Sequence, residues 1–352
     1  MKKLVVGLTL IAAALASLAG AAYGKSLSGS PSLASSIVPS ITVNTPTGTL
    51  LTLKTSELAV LPQTTITVPI GGVSTTESGP TLASLLTLAG VQYNAACKND
   101  ELRWWVEATS SNASAVTVTA GELDPGFGNK PAILSISENG KFLTSSGPRL
   151  VVPNDSGARD LQHVSTITVG RAPTELAEVN PACNPPSLVP ALALPPPGSV
   201  VINGEVANPT TLSYAQLGAL AQVTQTTSFL QGSTPKSDTE TGPTLYSVLA
   251  AANPNFLACD PNDKTRFYVE VTSSEDGNAN LVSWAEIDPS LNGNQVLLSL
   301  NEDGHSTLTP DTDPRLTVPG DLKGGRYNFG SAVITVFRAP TELRIPSCAK
   351  RK

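Results

Sequence analysis

The chain contains the same short sequence segments twice, in the same order. GPTL occurs at residues 79–82 and again at 242–245, and RAPTEL occurs at residues 171–176 and again at 338–343. The offset between matching segments rises from 163 at the first pair to 167 at the second, as expected when a few short loops are inserted between copies. A repeat of this length indicates two copies of one domain.

Each copy combines one helical segment with many short β-prone segments. After GPTL, apolar residues recur at helical spacing over residues 82–89 and 245–249. Further along, apolar strand-like segments such as residues 104–108 and 332–337 are separated by turns rich in Gly, Asn and Asp. The sequence therefore predicts an α+β fold: two tandem copies of a strand-rich, mixed-sheet domain with one main helix each.

The N-terminus is typical of an exported protein. Two lysines precede an uncharged apolar run from Leu4 to Leu18, which is shorter than the roughly 20 residues that a membrane-spanning helix needs. A signal peptide predicts a periplasmic or secreted protein with no stable membrane span after cleavage, and an N-terminal membrane anchor is the alternative. The predicted segments are a signal peptide (1–24), a flexible leader (25–37), the first repeat (38–183), a Pro-rich linker (184–198) and the second repeat (199–348).

The charge balance excludes some classes of partner. Removal of the two lysines in residues 1–24 leaves 20 basic and 28 acidic side chains, a net charge of −8. This excess of negative charge argues against nucleic acid or an anionic membrane surface as a partner.

The four cysteines are divided equally between the repeats. Cys97 and Cys183 lie 86 residues apart in the first repeat, and Cys259 and Cys348 lie 89 residues apart in the second. In an oxidising compartment these nearly equal separations predict one disulfide within each repeat. A redox or metal-binding thiol is the alternative, although the sequence contains no Cys-x-x-Cys motif.

The order of motifs in the second repeat resembles a known family. The segment TTSFLQG at residues 226–232 is followed by GPTL, by VEVTSS at residues 269–274, and by RLTVPGD at residues 315–321. This order is similar to that of the sulfite-oxidase-type molybdopterin-binding domain, and especially of small exported proteins that have only this domain. The resemblance extends over about 38–180 and 199–346, and it implies a molybdopterin-domain fold and a molybdopterin cofactor.

The resemblance also implies how molybdenum is held in catalytic members. The cofactor's dithiolene sulfurs and one protein cysteine thiolate bind the metal, and this cysteine lies between the threonine-rich strand and the helix. The matching segments, residues 63–79 and 223–242, contain no cysteine, and His163 and His305 lie at non-equivalent positions. We therefore predict no catalytic or metal-binding residues and no cofactor, with molybdopterin remaining open only through the resemblance.

Repeated arginines are the candidate binding residues. A guanidinium group beside exposed loop amides can hold a phosphate or another small anion through two hydrogen bonds. Alternatively, these arginines pair with the nearby Asp155 and Asp321 and fix the loop before the last strand. Arg171 and Arg338 are expected to pair with an acid at a strand end. The candidate anion-binding residues are Arg149, Arg159, Arg315 and Arg326.

Two equivalent acidic pairs, Glu122 with Asp124 and Glu286 with Asp288, suggest acid–base chemistry. Each aspartate precedes a proline in a turn, however, where aspartate commonly accepts a hydrogen bond from its own backbone. The position in a turn favours a structural role for both pairs.

The sequence thus favours an exported, non-catalytic module that binds a small anionic ligand or a protein partner. A molybdopterin-dependent oxidoreductase is the first alternative. A structural surface module is the second, because the linker is rich in proline and the chain is rich in Thr, Ser and Gly.

Overall fold

The protein is described by a computed structural model that covers residues 40–45, 47–112, 114–144, 147–155, 157–173, 176, 179–183, 194–260, 262–308 and 314–339. All of these residues belong to one compact unit that extends from residue 39 to residue 352. The predicted signal peptide and leader, residues 184–193 of the linker and Cys348 lie outside the described residues.

The first half, residues 40–183, contains eleven strands and three short α-helices among its described residues. The strands are β1 (Ser40–Thr45), β2 (Gly48–Lys54), β3 (Thr64–Ile70), β4 (Val73–Gly79), β5 (Trp104–Ser110), β6 (Ala115–Thr119), β7 (Ile133–Ser135), β8 (Ser137–Glu138), β9 (Lys141–Phe142), β10 (Arg149–Val151) and β11 (Val164–Arg171). The helices are α1 (Thr55–Leu58), α2 (Leu82–Leu88) and α3 (Ala120–Leu123).

The second half, residues 194–339, contains the same number of each among its described residues. The strands are β12 (Ser199–Gly204), β13 (Thr210–Ser213), β14 (Gln222–Gln231), β15 (Thr234–Pro243), β16 (Phe267–Ser273), β17 (Ala279–Ser283), β18 (Leu297–Ser299), β19 (Asn301–Glu302), β20 (His305–Ser306), β21 (Arg315–Thr317) and β22 (Ser331–Arg338). The helices are α4 (Tyr214–Ala219), α5 (Leu245–Ala250) and α6 (Trp284–Ile287).

Both halves arrange their strands in the same order. The five-stranded sheet is β2-β1-β11-β5-β6 in the first half and β13-β12-β22-β16-β17 in the second. In each sheet the first and last strands of the half, β1 with β11 and β12 with β22, are parallel, whereas the other pairs are antiparallel. A four-stranded sheet and a two-stranded sheet complete each half: β3-β4-β8-β9 with β10-β7, and β14-β15-β19-β20 with β18-β21. The predicted α+β class with two strand-rich halves is confirmed.

The main helix of each half begins where the GPTL segment predicts. The hydroxyl oxygen of Thr81 accepts a hydrogen bond from the backbone N–H of Ser84, and Thr244 does the same for Ser247. Such a capping threonine satisfies one of the free N–H groups at the start of a helix. The buried residues of α2 then pack against alternate residues of the five-stranded sheet, such as Val106.

Each half has its own hydrophobic core, and a third cluster joins the halves. The two large clusters share no residues and lie in residues 41–169 and 200–336. The third cluster contains Trp105 from β5 and Tyr268 from β16, whose rings stack with their centroids 6.1 Å apart. Because side chains alternate across a strand, Trp105 lies on the sheet face opposite Val106, so the two sheets meet through their outer faces.

Among the described residues, no helix has the length and apolar character needed to cross a membrane.

Candidate functional site

The larger of the two cavities described here lies where the two halves meet. It has a volume of about 650 Å³ and takes its walls from both halves. We call it the junction cavity. Its lining residues are Lys98, Asn99, Phe127, Val179, Asn180, Cys183, Phe229, Leu230, Gln231, Gly232, Asp276, Asn278, Arg315, Lys323, Gly324, Gly325, Tyr327 and Phe329.

Aromatic rings surround the Arg315 side chain in the wall of this cavity. The guanidinium carbon lies 4.4 Å from the ring centroid of Phe329, 5.4 Å from that of Tyr327 and 5.7 Å from that of Phe229. Phe229 and Tyr327 also stack on each other at 4.3 Å. A cation over aromatic faces at these distances is attracted by the ring quadrupoles, so the rings hold the guanidinium in place.

Carboxylates on the other side of Arg315 more than balance its charge. Its Nη1 atom donates to Glu240 Oε1 at 2.9 Å and to Glu302 Oε2 at 2.6 Å, and lies 3.6 Å from Asp238 Oδ2. The three carboxylates have oxygens within 4.8 Å of one another, and the guanidinium supplies the cation that they require. Burial raises the pKa of Glu240 above its ordinary value, although Arg315 acts in the opposite direction.

A second cavity, of about 510 Å³, surrounds the equivalent arginine of the first half. The Nη1 atom of Arg149 donates to Glu77 Oε1 and to Glu138 Oε2, each at 2.7 Å. The wall also contains Asp160, whose pKa is raised to about 6, mainly by burial. We call this the Arg149 cavity; its other lining residues are Pro69, Ile70, Gly71, Gly72, Gly157 and Gln162.

Arg159 and Arg326 line neither cavity, because both are fully buried. Arg159 donates to both oxygens of Glu122, at 3.2 and 3.0 Å, and pairs with both oxygens of Asp155. It also reaches the second half, where its Nη1 donates to Ser283 Oγ at 3.1 Å. The first-half cluster therefore helps to fasten the two halves together.

Arg326 has the equivalent environment in the second half. It donates to Asp321 Oδ2 at 2.8 Å and to Glu286 Oε2 at 2.9 Å. Burial alone would lower the pKa of this guanidinium, but Asp321 and Glu286 raise it well above its ordinary value, so the group stays charged.

One-turn helices position the glutamates of these clusters. Thr119 begins α3, and its hydroxyl accepts the Glu122 amide while the Glu122 carboxylate accepts the Thr119 amide. Ser283 begins α6 and accepts the Glu286 amide in the same way. This reciprocal capping fixes Glu122 at the third helical position, from which its carboxylate also meets Arg159.

The pairing of Arg159 with Asp155 and of Arg326 with Asp321, which the sequence offered as a structural alternative, is observed. Arg171 likewise pairs with Asp100 at 3.1 Å, and Arg338 pairs with Asp263. The four candidate arginines are thus not brought together in one site. Anion binding by them stays a prediction, with only Arg149 and Arg315 facing cavities.

The acidic pairs also have structural contacts. Asp124 Oδ1 accepts the Gly126 amide at 2.6 Å, and Asp288 Oδ1 accepts the Ser290 amide at 2.8 Å. Both aspartates cap their own turns, as their position before proline indicates.

A disulfide forms part of the wall of the junction cavity. Cys97 is bonded to Cys183, which confirms the predicted bridge of the first half. Asn180 strengthens this connection, because its Nδ2 donates to Ala96 O at 3.0 Å. Cys259 is also disulfide-bonded, and its predicted partner, Cys348, lies outside the described residues.

These residues do not fit a molybdenum centre held by a protein thiolate. The segments where the resemblance places the ligand cysteine contain none, and Cys97, Cys183 and Cys259 are all oxidised to disulfides. A hydroxyl of Thr or Ser in those segments is a poor substitute for a soft sulfur ligand. In addition, carboxylates already accept hydrogen bonds from the Nη1 atoms of the two arginines that face the cavities.

The sequence interpretation missed the residues that distinguish the junction cavity. Phe229, Tyr327 and Phe329 have no aromatic counterpart in the first half, and Lys98 and Lys323 were not singled out. Alignment of the two repeats contains a signal for the rings, since at three positions the second repeat has an aromatic residue where the first has an aliphatic or polar one.

No protein-family model matches the chain, and no curated protein matches it. Among solved structures, it is similar to the sulfane dehydrogenase SoxCD from Paracoccus pantotrophus, with 17% identity and a TM-score of 0.32. The similarity covers 40% of this chain and 38% of that chain. This likeness is too weak to assign a function, and the fold class rests on the strands and helices described above.

Proposed function

We propose that the protein is an exported, non-catalytic binding module that takes a small ligand in the junction cavity. The observation that carries this proposal is the cavity itself, whose volume of about 650 Å³ is in the range of small-molecule sites. Four aromatic residues and several polar ones line it, which is the usual mixture for binding rather than for packing. Its cysteine, Cys183, is held in a disulfide and is not a nucleophile.

A protein partner is the second candidate, and the rim of the same cavity favours it. Val179, Leu230, Leu322 and Phe329 lie in or beside the cavity and are 76%, 37%, 48% and 50% exposed, respectively. Clustered exposed apolar side chains around a concave site commonly mark an interaction surface. An apolar side chain of a partner would then fill the cavity.

An uncharged fluorescent probe tests the site without presupposing the charge of the ligand. We expect N-phenyl-1-naphthylamine to bind the full-length mature protein at one site, with an increase in fluorescence. Phe329→Ala should weaken this binding about tenfold, because it removes a half-exposed ring from the wall. Gln162 occupies the position in the first half that corresponds to Phe329 in the second. Gln162→Ala is therefore the matched control and should leave the affinity unchanged. Equal effects of both variants would contradict the assignment of the site.

Metal analysis tests the non-catalytic part of the proposal. Protein from a host that synthesises and inserts molybdopterin should contain no stoichiometric molybdenum and should not turn over sulfite or sulfoxide. One molybdenum per half or per chain, together with dye-linked activity, would instead favour the oxidoreductase.

A further inference from the structure

The unpaired polar groups in the wall of the junction cavity are mainly hydrogen-bond donors. Lys98 and Lys323 are exposed, and neither forms a close ion pair with another described residue, although Lys323 interacts electrostatically with the Glu101 carboxylate. Asn99 and Gln231 add amides that both donate and accept. Since an ammonium group only donates hydrogen bonds, the two lysines favour a ligand that carries acceptors.

The distribution of charge fixes how such a ligand lies. Asp238, Glu240 and Glu302 cluster behind Arg315, so an anionic group near this guanidinium would meet three carboxylates. The two lysines face the cavity from elsewhere: Lys98 follows the disulfide-bonded Cys97 of the first half, and the Lys323 side chain extends to the Gly126 turn, also in the first half. Because Lys323 is already attracted to the nearby Glu101, a negative group is favoured beside Lys98, with Lys323 as the second cation.

The second-half side is suited to a ring. Tyr327 and Phe229 stack there, and Phe329 is half exposed beside them. Aromatic faces of this kind pack against a flat or apolar ring of a ligand. Asp276 is the one carboxylate among the described lining residues, and its Oδ1 already accepts the Asn278 amide at 2.9 Å.

We propose that the ligand of the junction cavity is a ring-bearing organic oxyanion, with its ring against the aromatic wall and its carboxylate or sulfonate at Lys98 and Lys323. This inference rests on the proposed function. The ring is either aromatic or a pyranose, because both present a flat apolar face and both can carry a carboxylate.

Calorimetric titration of the full-length mature protein with matched probes tests the charge preference. Naphthalene-2-carboxylate, naphthalene-2-methanol and naphthalen-2-ylmethylammonium share one ring and differ in charge. We expect the carboxylate to bind about tenfold more tightly than the alcohol, and the ammonium compound most weakly, because charge-assisted hydrogen bonds are the stronger ones. Galacturonate and galactose form the corresponding pair for a pyranose ring, and an acid preference in either series supports the proposal.

Lysine variants locate the anionic group. The double variant Lys98→Gln with Lys323→Gln should reduce binding of the carboxylate to the level of the alcohol and leave binding of the alcohol unchanged. Lys141→Gln, at an exposed lysine of the first half, is the matched control and should change neither. Equal affinities within the naphthalene series and within the pyranose pair would overturn the oxyanion but keep the site, whereas failure of every probe to bind would overturn the proposed function itself.

Discussion

The two cavities are built on the same frame and differ in their walls. In each, the arginine that begins a short strand donates through Nη1 to one fully buried glutamate and one partly exposed glutamate. The donor–acceptor distances are 2.7 and 2.7 Å for Arg149 and 2.9 and 2.6 Å for Arg315. The frame therefore fixes the arginine similarly in both halves.

The walls differ at two positions that face the cavities. Leu150 bridges Leu161 in the first half as Leu316 bridges Asn328 in the second. This register makes Asp160 equivalent to Tyr327, and Gln162 equivalent to Phe329. One source of the difference is thus local: two polar residues of the first half are replaced by aromatic residues in the second.

The second source of the difference is that the first half of the chain also contributes residues to the junction cavity. The junction cavity is also lined by Phe127, Val179, Asn180 and Cys183 of the first half, whereas the described lining of the Arg149 cavity contains first-half residues only. The two halves therefore share the same frame, and the cavities differ in the residues that surround it.

The largest effect is expected from the disulfide, which belongs to one cavity alone. Replacing Cys97 and Cys183 together with Ala removes a bridge that closes a loop of 86 residues, which the chain-entropy model values at roughly 4–5 kcal/mol of unfolding free energy. Urea denaturation measures this loss. The variant should also bind N-phenyl-1-naphthylamine more weakly, because the wall at residues 179–183 is no longer tied to residue 97. A loss below about 1 kcal/mol with unchanged binding would show that the bridge supports neither stability nor site.

The next largest effect is a difference in stability between variants of Arg315 and Arg149. Arg315→Met leaves three carboxylates without their cation and removes three ring contacts, so we expect it to lower the unfolding free energy by about 3–5 kcal/mol. Arg149→Met leaves two carboxylates and loses no described ring contact, and its cost should be smaller. Denaturation at neutral pH compares them. If Arg149→Met costs as much or more, the aromatic wall adds nothing to the stability of Arg315.

The helix caps and the ion pair of Arg159 with Asp155 were predictable because their parts are local in sequence, unlike the contacts of Arg149 with Glu77 and of Arg315 with Glu240. Thr81 and Thr244 cap the helix that they begin, and Arg159 lies four residues after Asp155. Contacts between neighbours in the chain follow from residue type and spacing alone. Because the sequence segments are repeated, the same caps and ion pairs, and the same strand order, occur in both halves.

The junction cavity could not be predicted, since it exists only when distant segments pack together. Residues 98–99 and 229–232 are far apart in sequence, and no periodic pattern indicates that they form one wall. Trp105 illustrates the same limit, because alternation along a strand places Trp105 and Val106 on opposite faces but does not identify what either face packs against. The partner of Trp105 is Tyr268 of the other half.

Exchange of the walls tests whether the local residues suffice. Tyr327→Asp with Phe329→Gln gives the second half the residues of the first, and we expect it to weaken binding of N-phenyl-1-naphthylamine by about tenfold or more. The reverse exchange, Asp160→Tyr with Gln162→Phe, should not create a second site, because the Arg149 cavity lacks a described wall from the other half. Two sites per chain in the reverse variant would show that the local residues alone form the site.

The smallest expected effect is on the pH dependence of stability. It arises from Asp160, the carboxylate that stands in the Arg149 cavity at the position of Tyr327. Burial raises the pKa of Asp160 from 3.8 to about 6. A carboxyl group with a raised folded-state pKa contributes stability that is fully present below its unfolded pKa and is lost as the pH rises through about 6. Asp160→Asn should remove this loss, so the variant should be more stable relative to wild type at pH 7.5 than at pH 4.

The size of this effect is limited by the partial exposure of Asp160. A shift of two pKa units is equivalent to about 2.7 kcal/mol for a fully buried group, but solvent screening reduces it here to less than about 1 kcal/mol. Denaturation of both proteins at the two pH values measures the difference directly. Glu205→Gln, a matched substitution at an exposed position, is the control variant and is measured at the same two pH values. A stability difference between Asp160→Asn and wild type that is the same at both pH values would mean that Asp160 ionises in the folded protein as it does in the unfolded chain. The polar wall of the Arg149 cavity would then be more open to water than its aromatic counterpart.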